Sequence, residues 1–220
     1  MKPLLIGTGF WSDRESFFDN LSLFNRWLDN TALVSENIVV VDNSERPLNQ
    51  ESLWPARAIR CERNLGHVCN RLAATPTPLL GWSMSWIQSA LVAYADGCDF
   101  IYKEQDCFAF GDWLTIVRNN QETAMSFGRN QVVGCEQSLF YIQHHYILTA
   151  VRNYLAMQEH DCDLIPEQKF MRMRSHSPSD VGYHSLPGGR DRPLPNLKKP
   201  FYAQKITPEE WIQIKAYQCE

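Results

Sequence analysis

The run Ile38-Val39-Val40-Val41, closed by Asp42-Asn43-Ser44, restricts this chain more than any other feature. Four apolar residues in a row lack the alternation of a strand with one wet face. Such a strand is buried on both sides, as in parallel sheets covered by helices. The Asp-Asn-Ser that follows is turn chemistry. A second strand, Phe100-Ile101-Tyr102, is preceded by Gly97 and ends in Lys103-Glu104-Gln105-Asp106.

The segments around these strands extend the pattern. Leu4 to Ile6 reads as a first strand, broken by Gly7-Thr8-Gly9. Ser12 and Glu15 have the spacing of a capping box, and Phe17, Phe18, Leu21, Phe24 and Leu28 behind them mark one apolar helix face. A third short strand is expected around Ala58 to Cys61, and Asn64-Leu65-Gly66 opens a helix to about Ala74 that Thr75-Pro76-Thr77-Pro78 stops. A helix from about Ser83 to Ala95 leads into the strand at 100–102. This order predicts an α/β fold: one domain over 1–220 with a mostly parallel, Rossmann-like sheet and helices on both faces.

Beyond Asp106 the part from 107 to 220 becomes α+β in character and decorates that sheet. A short helix is expected at 112–119, strands at 123–128 and 138–143 as a paired edge, and a helix from His144 to Glu159. Pro166 opens another helix at a position where its missing amide costs nothing. Ser175 to Pro200 reads as a long irregular, mobile segment, and Thr207 with Glu210 caps a last helix.

Composition closes several routes. The chain is 44% hydrophobic and 21% charged, with net charge −4, so the concentrated positive charge of a nucleic-acid binder is missing. No run of 18 apolar residues occurs, and no transmembrane segment is expected. Seven irregularly spaced cysteines without a C-x-x-C pair fit a reducing, cytoplasmic compartment.

In open α/β sheets ligands sit outside the carboxyl ends of the strands, and the groups expected there are Thr8, Asp42 and the pair Glu104/Asp106. Two carboxylates spaced i, i+2 at a strand end point the same way, which suits a hard divalent cation and the phosphates it carries. The bland alternative is a solvated strand end, but Cys107-Phe108-Ala109-Phe110 resumes apolar character at once and places the acids at a crevice. Asp42 with Asn43 either accepts from a nucleoside or makes an Asx-turn with its own backbone. Thr8 and Phe10 are candidates for the same pocket, Phe10 equally for the core. Asn64, Gly66 and Asn70 stand at a helix start whose free amides favour an anion.

Taken together, VVVDNS, ERNLGHVCNR and YKEQD resemble the nucleotide-binding half of GT-A-type glycosyltransferases, the family-2-like inverting enzymes especially. The resemblance covers residues 1–106 well and the acceptor-binding half, 107–220, more loosely. It implies a hexosyltransferase-like enzyme that moves a sugar from a UDP- or GDP-linked donor to a hydroxyl of a glycan or glycolipid acceptor. It assigns Asp42 to the base, Asn64 to Asn70 to the nucleotide-side loop, and Glu104 and Asp106 to the diphosphate with its Mn²⁺ or Mg²⁺. Glu104 stands where the family has its first aspartate. The family's general base suggests Glu167, with Asp161 and Asp163 in reserve, although a glutamate there also suits a helix dipole. A late histidine that completes the metal site suggests His184. Arg190 and Arg192, after Gly188-Gly189, are candidates to clamp the diphosphate, or else part of a solvated basic loop. The rivals are a sugar-phosphate nucleotidyltransferase, whose basic glycine-rich loop GTGFWSDRES does not supply, and a non-catalytic nucleotide or carbohydrate binding module.

Overall fold

The computed structural model describes residues 2–61, 81–119, 122–130, 134–160, 164–190 and 193–218. The expected helix at 64–74 and its proline stop lie outside them. The first half alternates as anticipated: β1 (Leu4–Phe10), α1 (Phe17–Ala32), β2 (Ile38–Asp42), β3 (Arg57–Arg60), α2 (Gly81–Ala95) and β4 (Asp99–Lys103). All five residues of β2 and all five of β4 are buried, as their unbroken apolar runs require.

The second half adds β5 (Cys107–Phe110), α3 (Trp113–Arg118), β6 (Met125–Gly128), β7 (Glu136–Ile142) and α4 (Ile147–His160). It continues through α5 (Pro166–His176), β8 (Val181–Tyr183), β9 (Gly188–Gly189), β10 (Phe201–Gln204) and α6 (Pro208–Gln218). Seven strands form one sheet in the order β3-β2-β1-β4-β7-β6-β8, and β5-β10-β9 form a second, smaller one.

The sheet is mostly parallel, as expected, but mixed through one reversed strand. β1 to β4 run parallel, but β7 lies antiparallel to both β4 and β6. The seven residues between β6 and β7 are too few for a parallel crossover, so these strands must run antiparallel. They do pair as expected, yet not at the edge, because β8 lies outside β6.

Two further expectations give way. Gly7 and Gly9 do not break β1, which runs through them to Phe10. They are where α2 lies closest: a Cβ on Gly9 would stand 2.2 Å from Ser85 Oγ, and one on Gly7 2.4 Å from Ser89 Cβ. The segment 175–200 is not uniformly irregular either, because α5 reaches His176 and β8 and β9 join the two sheets.

Each face of the large sheet has its own core. On one, α2, α4 and α5 pack Trp86, Tyr154 and Phe170 against Phe100 and Phe140. On the other, α1 and the small sheet bring Phe24, Trp27, Phe108 and Tyr202 onto Phe10 and Tyr141. Asn30 of α1 fastens that second layer: its Nδ2 donates to the Ala109 carbonyl at 3.1 Å and its Oδ1 accepts from the Ala109 amide at 3.2 Å. The capping box of α6 is present, with Glu210 N donating to Thr207 Oγ1 at 3.2 Å and Thr207 N to Glu210 Oε2 at 2.9 Å.

Candidate active site

The chain passes from β1 to β2 and β3 on one side, then returns to place β4 on the other side of β1. That reversal leaves a crevice at the carboxyl ends of β1 and β4, the usual ligand position in such sheets. A cleft of about 630 Å³ lies there, with Gly9 near the end of β1 and Trp11 just after it, Asn43 after β2, and Glu104 and Asp106 after β4. Gln137, Arg190 and Gln204 close it from the second half.

The two acids share one donor. Gln204 Nε2, at the end of β10, donates to Glu104 Oε2 and, at 2.8 Å, to Asp106 Oδ1. The other Glu104 oxygen accepts from Trp82 Nε1 at 2.5 Å. Burial, reinforced by the charge of Asp106, pushes the Glu104 carboxyl well above the usual carboxylate range. Gln105 between them points back to β1, accepting from Trp11 N at 2.9 Å and donating to the Trp11 carbonyl at 3.3 Å. Lys205, in the left-handed region at φ 55°, turns the chain away beside Asp106.

Arg190 extends the network. Its Nε donates to Gln204 Oε1 at 2.9 Å and lies 4.0 Å from Glu136 Oε1, while Nη1 donates to Glu167 Oε1 at 3.3 Å. Burial alone would lower the guanidinium, but Glu136, Glu104 and Glu167 around it raise it. Glu136 is itself pushed up by burial, against the pull of Arg190.

Other expected residues sit elsewhere. Asp42 makes the Asx-turn: it accepts from Ser44 N at 3.0 Å and Leu48 N at 2.9 Å, and pairs with Arg60 at 2.9 Å. Its neighbour Asn43, not Asp42, lines the cleft. Thr8 is fully buried within β1, and Phe10 belongs to the core, 5.0 Å from Phe24 between ring centroids. Glu167, buried at the start of α5, meets the cleft through Arg190. His184 is buried with its ring nitrogen Nε2 3.2 Å from the Leu139 carbonyl and its ring against Tyr202. Burial lowers it to about 4, so it is neutral at ordinary pH. It is not among the cleft-lining residues. Asn64, Gly66, Asn70, Asp161, Asp163 and Arg192 lie outside the described residues.

Trp82, Glu136, Gln137 and Gln204 were not singled out by sequence. Trp82 had a weak signal in lying close to the start of a helix that leads into β4. The others arrive through strand pairings that no local pattern announces.

The acids partly suit a divalent metal ion. Among the described residues no group of three or more His, Cys, Asp or Glu side chains can hold one. Two converging carboxylates nevertheless match the way Mg²⁺ is usually bound, with the substrate's phosphates and water completing the shell. Gln204 would have to yield its place between them.

Neither a protein-family model nor a characterised protein matches the sequence. Solved structures do match the fold. A glycosyltransferase involved in the glycosylation of the major capsid of PBCV-1 aligns with a TM-score of 0.55 at 8% identity, covering 98% of this chain and 99% of that one. The galactosyltransferase LgtC, in complex with donor and acceptor sugar analogues, aligns at 0.53 and 9% identity, covering 91% and 87%. The glycosyltransferase GlyE of Streptococcus pneumoniae TIGR4 aligns at 0.45, and the chain spans 45% of its length. For the first two, at 8% and 9% identity, the likeness is one of fold: an α/β domain with a mixed sheet flanked by helices, of the GT-A kind. Among the described residues no helix is long and apolar enough to cross a membrane.

Proposed function

We propose that the cleft at the ends of β1 and β4 takes a UDP- or GDP-linked sugar and transfers its glycosyl group to a hydroxyl of a glycan or glycolipid acceptor. The observation that carries this reading is the convergence of Glu104 and Asp106 on a single point in the crevice of a fold that glycosyltransferases share. A Mn²⁺ or Mg²⁺ held by Asp106 and Glu104 would offset the negative charge that develops on the diphosphate leaving group.

The chain's own groups do the rest. Asn43 and Trp11, at the rim formed by β1 and β2, face the nucleoside. Arg190 is half-exposed and carries a planar fork that matches phosphate oxygens. It moves from its carboxylates to the diphosphate when the donor binds. Glu167, released from Arg190, then takes the proton of the attacking hydroxyl, whose oxygen bonds to the anomeric carbon as the bond to the nucleoside diphosphate breaks, in one inverting step. His184, neutral and turned to Leu139, takes no part as a metal ligand in this scheme.

The test is calorimetric titration of UDP and GDP, each with and without Mn²⁺, on wild type and Asp106→Ala. Micromolar binding of one nucleotide that needs the cation and vanishes in the variant is the expected result. No binding under any condition would sink the reading. The anomeric configuration of the product, read by NMR, decides the stereochemistry.

A further inference from the structure

The backbone of Gln204 is fixed against the candidate acids. β10 pairs it with Cys107 of β5, and the next amide, Lys205 N, donates to the Asp106 carbonyl at 3.3 Å. Gln204 is 3% exposed, while Glu104 and Asp106 are half-buried, so the acids meet the cleft more openly than the glutamine does. A change at the acids reaches Gln204 through its side-chain amide.

The two ends of that amide serve opposite partners. Nε2 donates to Glu104 Oε2 and Asp106 Oδ1, and Oε1 accepts from Arg190 Nε at 2.9 Å. This is shorter than the 3.3 Å from Arg190 Nη1 to Glu167 Oε1 and the 4.0 Å from Arg190 Nε to Glu136 Oε1. One amide therefore spans from the acids that would hold a cation to the guanidinium that covers the proposed base.

An amide carries its donors and its acceptor on different atoms, and the two cannot exchange roles. A cation on these carboxylate oxygens takes the place of Nε2, because a hard cation wants oxygen ligands and not N–H donors. Two motions make room. Turning the amide over sets Nε2 against Arg190 Nε, donor against donor. Swinging it aside withdraws Oε1. Either way Arg190 loses the shortest of these contacts. Charge acts in the same direction, since a divalent cation in exchange for the Glu104 proton leaves the acid pair more positive and weakens its attraction for the guanidinium.

We propose that Gln204 is a positioning residue that couples the cation to Arg190: filling the cation position frees the arginine to turn to the diphosphate and so uncovers Glu167. This deepens the proposed function and rests on its cation position. The site is then assembled in order, and the base stays covered until the leaving group's counter-charge is in place.

The experiment reads the arginine itself. Phenylglyoxal labelling of the full chain, resolved by peptide mass spectrometry, gives the reactivity of Arg190 relative to Arg14, whose side chain is 85% exposed. It is measured with and without saturating Mn²⁺ and no nucleotide, with occupancy followed by the electron paramagnetic resonance of the free ion. Gln204→Met has a similar length and neither donor nor acceptor. Gln204→Glu keeps an acceptor for Arg190, and serves if the methionine variant does not fold.

In wild type Mn²⁺ alone should raise the reactivity of Arg190 about two- to tenfold, the worth of one lost hydrogen bond, and leave Arg14 unchanged. In Gln204→Met, Arg190 should be reactive from the start, with Mn²⁺ adding less than about twofold. In Gln204→Glu it should stay protected although Mn²⁺ binds. Arg190 that does not respond to bound Mn²⁺ in wild type overturns the proposal. So does a wild-type response in either variant, which makes the effect one of charge alone. Mn²⁺ that binds only once UDP or GDP is present overturns it too. If Mn²⁺ frees Arg190 but no nucleotide binds, the transferase reading fails and the coupling stands. If a nucleotide binds with its cation while Arg190 ignores Mn²⁺, the coupling fails and the reading stands. If Mn²⁺ binds neither alone nor with a nucleotide, both fail.

Discussion

The Lys103 side chain points from β4 to α1, fully buried, with Nζ 2.7 Å from Asn30 Oδ1, 2.8 Å from Thr31 Oγ1 and 5.0 Å above the Trp27 ring. Burial lowers its ammonium to about 7. An exposed lysine titrates at about 10.4. Between these values the unfolded chain holds a proton that the folded chain lacks, so stability rises with pH across that window and is flat below it. The slope attributable to Lys103 reaches at most about 1.4 kcal/mol per pH unit. Urea unfolding at pH 7, 8 and 9 should give a more positive slope of stability against pH in wild type than in Lys103→Met, the opposing contribution of Glu104 being common to both. Parallel profiles would mean that the ammonium is not held in this way. Glu104 works in the other direction at the same strand end. Its raised carboxyl holds a proton that a cation must expel, so Mn²⁺ binding should tighten as pH rises through neutrality. Calorimetry at pH 7 in buffers of different ionisation enthalpy should show proton release, and its absence in both wild type and Glu104→Gln would contradict the raised value.

At the scale of elements, the approach of α2 to β1 positions one wall of the cleft. Gly9→Ala would drive a Cβ to 2.2 Å from Ser85 Oγ and 2.7 Å from Ser85 Cβ, with an expected cost of about 1–3 kcal/mol. Ser85→Gly in the same chain should return part of that loss, against about 1 kcal/mol for a glycine inside a helix. Strict additivity in denaturant melts would show that this contact is not the cause. The same pair shows where reading the sequence succeeds and fails. An all-apolar run closed by an acid has few solutions, so β2, β4 and the cleft acids Glu104 and Asp106 are legible from local pattern. Gly7-Thr8-Gly9 is ambiguous, because a glycine marks either a turn or a close approach, and the serines opposite lie more than seventy positions along the chain. Phe10 and Asp42 had two readings each, and the core and the Asx-turn hold in the structure. Gln204 reaches Asp106 across a separation of 98 residues through the pairing of β10 with β5. No composition or period announces such a contact.

Across the whole molecule, Arg190 joins parts that are otherwise distant. It follows β9 and meets Glu136 at the start of β7, Glu167 in the first turn of α5 and Gln204 at the end of β10. Gly188 and Gly189, at φ 133° and 91°, allow the close approach, since a Cβ on Gly189 would stand 2.8 Å from Glu136 Cγ. Both glutamates are almost wholly buried, so the guanidinium is their counter-charge. Removing one partner of a fully buried ion pair costs about 3–5 kcal/mol. The Arg190 side chain is 42% exposed, and solvent screening reduces the expected loss in Arg190→Ala to about 1–3 kcal/mol. Adding Glu167→Gln should recover part of it by relieving the two uncompensated carboxylates. The same side chain is the proposed clamp for the diphosphate, so binding and stability are linked through it. A nucleoside diphosphate with Mn²⁺ should raise the melting temperature of wild type and raise it far less in Arg190→Ala. If the variant keeps both its stability and the full ligand shift, Arg190 neither balances the buried acids nor reaches the phosphates. If it loses stability but keeps the shift, the arginine is structural and the phosphates are held by other groups.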